Sequence, residues 1–207
     1  MKPGELFYDL KADHKENHEV FKAKALQQWQ KQAAGCRRCA LREGCRQVVF
    51  GEGPPEAQLM LVGEGPGSEE DKLGRPFVGR AGKLLDSLLE ESGFSRQEVY
   101  IANVVKCRPP HNRNPLSEEI KACLFHLQGQ IKIIDPKIIV CLGAMASKTL
   151  IDPKAQITKI RGKWVEREGF RIMPTLHPAY LLRDPQKKKL VQQDFQEVER
   201  EYKGLVL

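Results

Sequence analysis

The run Leu59-Met60-Leu61-Val62 passes straight into Gly63-Glu64-Gly65-Pro66-Gly67-Ser68-Glu69-Glu70-Asp71. Four apolar residues read as a buried strand. The glycines after them let the backbone turn tightly and approach a ligand, because glycine has no Cβ to clash and tolerates positive φ. The loop lacks the Gly-Lys-Ser/Thr ending of a Walker loop and the G-x-G-x-x-G of a dinucleotide turn, and its carboxylates repel phosphate. A ligand less charged than a triphosphate belongs there.

Outward from that loop, strand and helix patterns alternate. Gly79-Arg80-Ala81-Gly82 opens a helix through Leu84, Leu85, Leu88 and Leu89 that stops at Gly93. Val99–Ala102 reads as a strand with Asn103 at its carboxyl end, and the proline- and cation-rich segment 106–114 as an exposed loop. Ser117 is the expected N-cap of a helix carrying Cys123, Leu124, Leu127 and Ile131 and closing at Asp135-Pro136. The near-continuous apolar run Ile138–Leu142 suits a central parallel strand. A short helix from Gly143-Ala144, a last strand over 171–176 and a charged helix over about 188–202 complete the chain. Before the loop lie a loose terminus (1–16), an amphipathic helix (17–34) with Val20, Phe21, Ala25, Leu26 and Trp29 on one stripe, and a short strand at Val48–Phe50. This order predicts one α/β domain over 1–207, three-layer α/β/α around a mostly parallel four-stranded sheet. Ligands bind beyond the carboxyl ends of such strands, so the Gly63 loop, Asn103 and the segment from His177 should share one rim.

The 207 residues are 41% hydrophobic, with no apolar run near the roughly 20 residues that span a bilayer. The charged start after Met1-Lys2-Pro3-Gly4 has no signal-peptide core, so the expected location is the cytoplasm. A formal charge of +7 fits an anionic partner, and equally a plain basic surface. Six cysteines in such a chain point to metal, catalysis or burial sooner than to disulfides. Cys141 lies inside an apolar strand and reads as core. Cys36, Cys39, Cys107 and Cys123 come from three segments and can close a tetrahedral site, for which spacing alone allows zinc or a 4Fe-4S cluster, with Cys45 and His126 as substitute ligands.

Four ordered stretches stand out together: Gly63-Glu64-Gly65-Pro66-Gly67 with Glu70-Asp71, Gly74-Arg75-Pro76-Phe77-Val78-Gly79-Arg80-Ala81-Gly82, Asn103 to Pro109, and His177-Pro178-Ala179-Tyr180-Leu181-Leu182-Arg183. With the cysteine pattern they resemble the family 4 (type-4) uracil-DNA glycosylases over about Cys36 to Arg183. The resemblance implies a monofunctional enzyme that hydrolyses uracil from DNA and leaves an abasic site, initiating base excision repair. It also implies a 4Fe-4S cluster on Cys36, Cys39, Cys107 and Cys123, leaving Cys45 and Cys141 free. The implied partners are uracil-containing DNA and repair or replication proteins, with the chain a monomer.

Residue by residue, Phe77 supplies a stacking face for a flipped base, and Asn103 offers the donor and acceptor that uracil O4 and N3-H require. The resemblance implies that His177 donates to O2 of the leaving uracil, assisted by backbone N-H groups of the loop around Gly65. Family 1 enzymes have an aspartate where this chain has Gly65, so the water falls to Glu64, Glu70, Asp71 or Asn112, and Glu70 also stands where bulk excludes the 5-methyl of thymine. Tyr180, Leu181 and the neighbouring Leu182 fill the gap left by the flipped base, while Arg80, Lys106, Arg108, Arg113, Arg161 and Arg183 neutralise phosphates. Two rival readings are an iron-sulfur DNA-binding module without glycosylase activity and a glycosylase for another deaminated base.

Overall fold

A computed structural model describes residues 15–167 and 169–206. Most of the expected loose terminus lies outside the described residues. The elements run α1 (Lys15–Ala34), α2 (Leu41–Gly44), β1 (Leu59–Gly63), α3 (Ser68–Leu73), α4 (Arg80–Glu91), β2 (Tyr100–Asn103), α5 (Ser117–Ile134), β3 (Ile138–Leu142), α6 (Ala144–Leu150), α7 (Ile157–Ile160), β4 (Val165–Arg167), β5 (Phe170–Thr175), α8 (Pro178–Leu181) and α9 (Lys188–Val206).

The sheet order is β2-β1-β3-β5-β4. The first four strands are parallel, as the alternating pattern requires, and β4 adds an antiparallel edge against β5. That fifth strand corrects the four-strand expectation. Its three residues carry no apolar run and stay largely exposed, turning into β5 near Gly169 at φ 86°. The strand expected at Val48–Phe50 does not form. Val49 N-H donates to Lys106 O at 2.8 Å and Glu52 makes an isolated bridge with Ile101, while Gly51 and Gly53 at φ 147° and 139° interrupt any ladder.

Strand residues alternate between two cores, as a period of two dictates. Leu59, Leu61, Val140 and Leu142 face Leu85, Leu88, Leu89, Val191 and Phe195 of α4 and α9. Met60, Val62, Ile139 and Cys141 face Leu127 and Ile134 of α5 and Ala146 of α6. Leu85, Leu88 and Leu89 of α4 are fully buried, each stabilising by about 1.5–3 kcal/mol. Gly93 ends that helix in the left-handed region at φ 73°. At α5, Leu116 rather than Ser117 occupies the cap, and the Glu119 carboxylate accepts the Leu116 N-H at 2.7 Å.

On the outer face, α1 packs along α5 and carries Cys36 and Cys39 just past its end. The contact is close: Trp29 Nε1 donates to His126 O at 3.1 Å, and a Cβ on Gly129 would lie 2.3 Å from the Trp29 ring. Gly129→Ala gains helix propensity but meets that ring, so we expect a net loss of about 1–3 kcal/mol. Gly204→Ala, which meets open space, is the control. Thermal melts in which Gly129→Ala is no less stable than Gly204→Ala would refute this packing.

Candidate active site

β1 and β2 end side by side, with Gly63 in register with Asn103. Beyond them opens a cavity of about 200 Å³, bounded by the Gly63 loop, Phe77, Asn103, the 109–113 turn and His177. Asn103 is 2% exposed, and its Oδ1 is buried without a hydrogen-bond partner among the described residues. Such an orphan acceptor costs about 1–3 kcal/mol unless a ligand satisfies it. A Cβ on Gly63 would fall 2.5 Å from that oxygen and 2.6 Å from Phe77 Cζ, so only glycine lets the amide and the ring meet there.

Phe77 has a left-handed backbone, φ 52°, which costs about 1–3 kcal/mol in a non-glycine residue. Arg96 holds it. Its guanidinium donates to Pro76 O at 2.7 Å and Phe77 O at 3.2 Å while pairing with Asp86 at 2.7 Å. Gly82 of α4 packs under the same peptide, where a Cβ would lie 1.9 Å from Phe77 O. The aromatic ring stacks on His177, 5.6 Å between centroids and 29° between planes.

His177 caps α8, its Nδ1 accepting the Ala179 N-H at 3.1 Å. That bond places the ring proton on Nε2 of the neutral imidazole. Burial, then the positive charge of Arg183, lowers its pKa to about 4, against an opposing pull from Glu70. The ring is therefore a neutral N-H donor at physiological pH.

The acids divide by their partners. Glu70 is fully engaged: Oε2 accepts Gly67 N-H at 3.1 Å and Oε1 accepts Val78 and Gly79 N-H at 2.9 and 2.8 Å. It stitches the glycine loop to the Phe77 segment. Glu64 lines the cavity half-buried, and its carboxylate accepts no hydrogen bond from any described residue; burial raises its pKa. Asn112 also lines the cavity, at φ 55°, with Oδ1 accepting Arg108 Nε at 2.7 Å. Asp71 does not reach it. That side chain is 3% exposed and accepts Arg46 N-H at 2.9 Å on another face of α3, which corrects its place among the water-holding candidates.

Cys36, Cys39, Cys107 and Cys123 line a second, narrow cavity, walled otherwise by Ala33, Leu41, Val48 and Ala122 and by Arg38, Arg42 and Lys106. None of the six cysteines is in a disulfide, and burial raises the thiol pKa of Cys107 and of Cys123. Among the described residues no group of three or more His, Cys, Asp or Glu side chains is gathered to grip a metal ion. Cys45 is buried beside Cys107, Cys141 is buried in β3, and His126 packs between Trp29 and Phe125 away from the cavity lining.

The profile described as the uracil DNA glycosylase superfamily matches residues 50–201. The chain belongs to that superfamily. It is 54% identical over 151 residues to the type-4 uracil-DNA glycosylase of Thermotoga maritima, covering 72% of this chain and 79% of that protein. To the type-4 uracil-DNA glycosylase of Sulfurisphaera tokodaii it is 44% identical over 183 residues, 84% of this chain and 83% of the relative. The corresponding figures for the Archaeoglobus fulgidus type-4 uracil-DNA glycosylase are 40% over 171 residues, 79% and 86%.

Around the mouth of this glycosylase-family pocket, Arg80 and Arg183 are exposed and Arg108 half-exposed, while Arg113 lines the cavity and forks onto Glu119 at 2.6 and 2.8 Å. Three expected DNA contacts are corrected. Lys106 is 1% exposed, its Nζ spent on Asn103 O and Gln130 Oε1, and burial pulls its pKa down to about 7. Arg161 is bound to Asp194 and to Leu190 O at 2.7 Å, tying α7 to α9. Leu181 is 2% exposed in the core, whereas Leu182 is 44% and Tyr180 39% exposed. The short helix set by the His177 cap turns Leu181 inward and leaves its neighbours outside. Arg96 and Gln130 escaped the sequence reading, their partners lying 10 to 80 residues away along the chain. Gly82, read there as part of a helix start, makes room for the Phe77 peptide.

The held-neutral His177 has a direct signature. Its ring should titrate near pH 4 in histidine NMR spectra, so stability from this residue is flat above the usual value near 6.5. As pH falls from 6.5 toward 4, the unfolded chain takes the proton first and the folded state loses stability. A midpoint near 6.5 would show the ring to be solvated.

Proposed function

We propose that this protein is a uracil-DNA glycosylase that flips uracil out of DNA and hydrolyses its N-glycosidic bond, leaving an abasic site for base excision repair in the cytoplasm. The observation that carries the reading is the buried, partnerless Asn103 Oδ1 at the end of β2, beside a stacking ring. An acceptor with a donor amide next to it matches N3-H and O4 of uracil, and Phe77 offers its face to the base. Family membership and the three type-4 relatives support the same assignment.

As the bond breaks, negative charge gathers on uracil O2 and positive charge on the sugar. A fixed donor is worth most where charge develops in a water-poor site, and His177 Nε2-H is such a donor because Nδ1 is already occupied. The backbone of the loop at Gly65 lies on the same wall. Among the four candidates for holding water, Glu64 is the best placed, because its carboxylate faces the cavity with no described partner. Its negative charge also favours the cationic sugar. Glu70 instead positions the loop. Arg80, Arg108, Arg113 and Arg183 serve phosphates at the rim, and Tyr180 with Leu182 supplies the apolar surface that occupies the vacated stack.

Cys36, Cys39, Cys107 and Cys123 are the residues we assign to a 4Fe-4S cluster. Four thiols from three segments meet around one cavity there, the donor chemistry that a cluster of this kind takes. Its contribution is structural, tying the segment after α1 to the Cys107 loop and α5. Chemical assay should find iron and sulfide in the purified protein and a loss of both in Cys123→Ser; full iron content in that variant would exclude this ligand set.

Uracil release from a uracil-containing oligonucleotide tests the function. We expect release by the protein, with a fall of roughly 10²–10³-fold in His177→Ser, the scale of losing one such donor. Glu64→Gln should slow excision without weakening DNA binding. DNA bound with no base released would favour the binding-module reading.

A further inference from the structure

Lys106 is a lysine with 1% exposure and no carboxylate partner among the described residues, and the chemistry above leaves it unused. Burying an amine this way is costly unless every proton finds an acceptor. Its Nζ donates to Asn103 O at 2.8 Å and to Gln130 Oε1, and stands 6.0 Å from the centre of the Phe50 ring. Gln130 cannot swing, because its Nε2 donates to Phe50 O and to the Tyr100 hydroxyl, each at 2.9 Å. The lysine backbone is fixed as well, its N-H directed at Cys123 Sγ at 3.2 Å and its carbonyl accepting Val49 N-H at 2.8 Å. A methionine would fill the same volume without a buried amine to satisfy, so stability alone does not explain a lysine here.

The side chain of Asn103, by contrast, receives no hydrogen bond from any described residue. Its aim is therefore set by its backbone and by the contacts at Gly63 and Phe77. We propose that Lys106 is a positioning residue for base reading: Nζ fastens the Asn103 carbonyl to the Gln130–Tyr100 network and so fixes the angle at which the amide meets uracil. The inference rests on Asn103 reading the base. It assigns Lys106 to the back of the pocket, where it contacts neither DNA phosphate nor the base itself.

The test is a double-mutant cycle in single-turnover excision from a uracil-containing duplex, with wild type, Lys106→Met, Asn103→Ala and the double variant. A small misplacement of a recognition group costs roughly ten- to a hundredfold, so Lys106→Met should lose that much in maximal rate. Half-saturating DNA and the slope of affinity against salt should stay unchanged, since no phosphate contact is lost. In the Asn103→Ala background the same substitution should cost less than about twofold, because a residue acting through Asn103 has nothing left to position. Equal losses in both backgrounds, a shallower salt slope, or an unchanged rate in Lys106→Met would each overturn the assignment. If Lys106→Met does not fold, Gln130→Leu, which removes the other anchor of Nζ, enters the same cycle with the same expected outcomes. Absence of uracil release by wild type would overturn the glycosylase reading and this inference together; release by wild type with no coupling overturns the inference alone.

Discussion

Gly63 and Asn103 end adjacent parallel strands in register, and the missing Cβ at Gly63 is the constraint on which the pocket depends. With any side chain there, the Asn103 amide and the Phe77 ring would be forced apart. Because both strands are buried on both faces, the register cannot slip without exposing two cores. The sheet thus delivers an amide and an aromatic face to one point, and loops add the rest. Phe77 completes this only by adopting a backbone that aromatic residues avoid, and its two neighbouring carbonyls are held by Arg96 while Gly82 leaves room beneath. The strain is met at folding, so the stacking face is in place before any base arrives.

Electrostatically the site is arranged by partners rather than by composition. Two glutamates stand within a few residues of each other in sequence, yet Glu70 is saturated by three backbone N-H groups and Glu64 by none of the described residues. One is a fastener and the other an available charge. His177 is kept neutral by burial and by Arg183, and the Ala179 N-H at Nδ1 decides which nitrogen keeps the proton.

Much of this was legible in the sequence where the signal is local. The run at 59–62, the leucines at spacings of three and four in α4, and Gly93 at its end carry their own instructions, so β1, β3 and α4 lie where periodicity puts them. The Gly63 loop, Asn103 and His177 could be gathered on one rim because parallel sheets place ligands beyond their carboxyl ends. What escaped is non-local or set by one residue's rotation. Lys106 sits in a stretch rich in proline and cations, which reads as exposed, and its bonds to Asn103 O and to the distant Gln130 hold it inward. Leu181 and Leu182 exchange roles with a shift of a single position on a four-residue helix. β4 has no apolar pattern to announce it, and Asp71 looks like a loop acid until α3 turns it toward Arg46.

The placing of charge by depth has a consequence of its own. Arg80 and Arg183 are exposed, whereas Glu64 and Glu70 stand within the cavity beside Arg113, which is itself paired to Glu119. Carboxylates inside the cavity repel a polyanion from the interior. Only an uncharged portion of the chain gains by moving inward. Charge at the pocket thus selects by what it excludes, before any hydrogen bond to a ligand has formed.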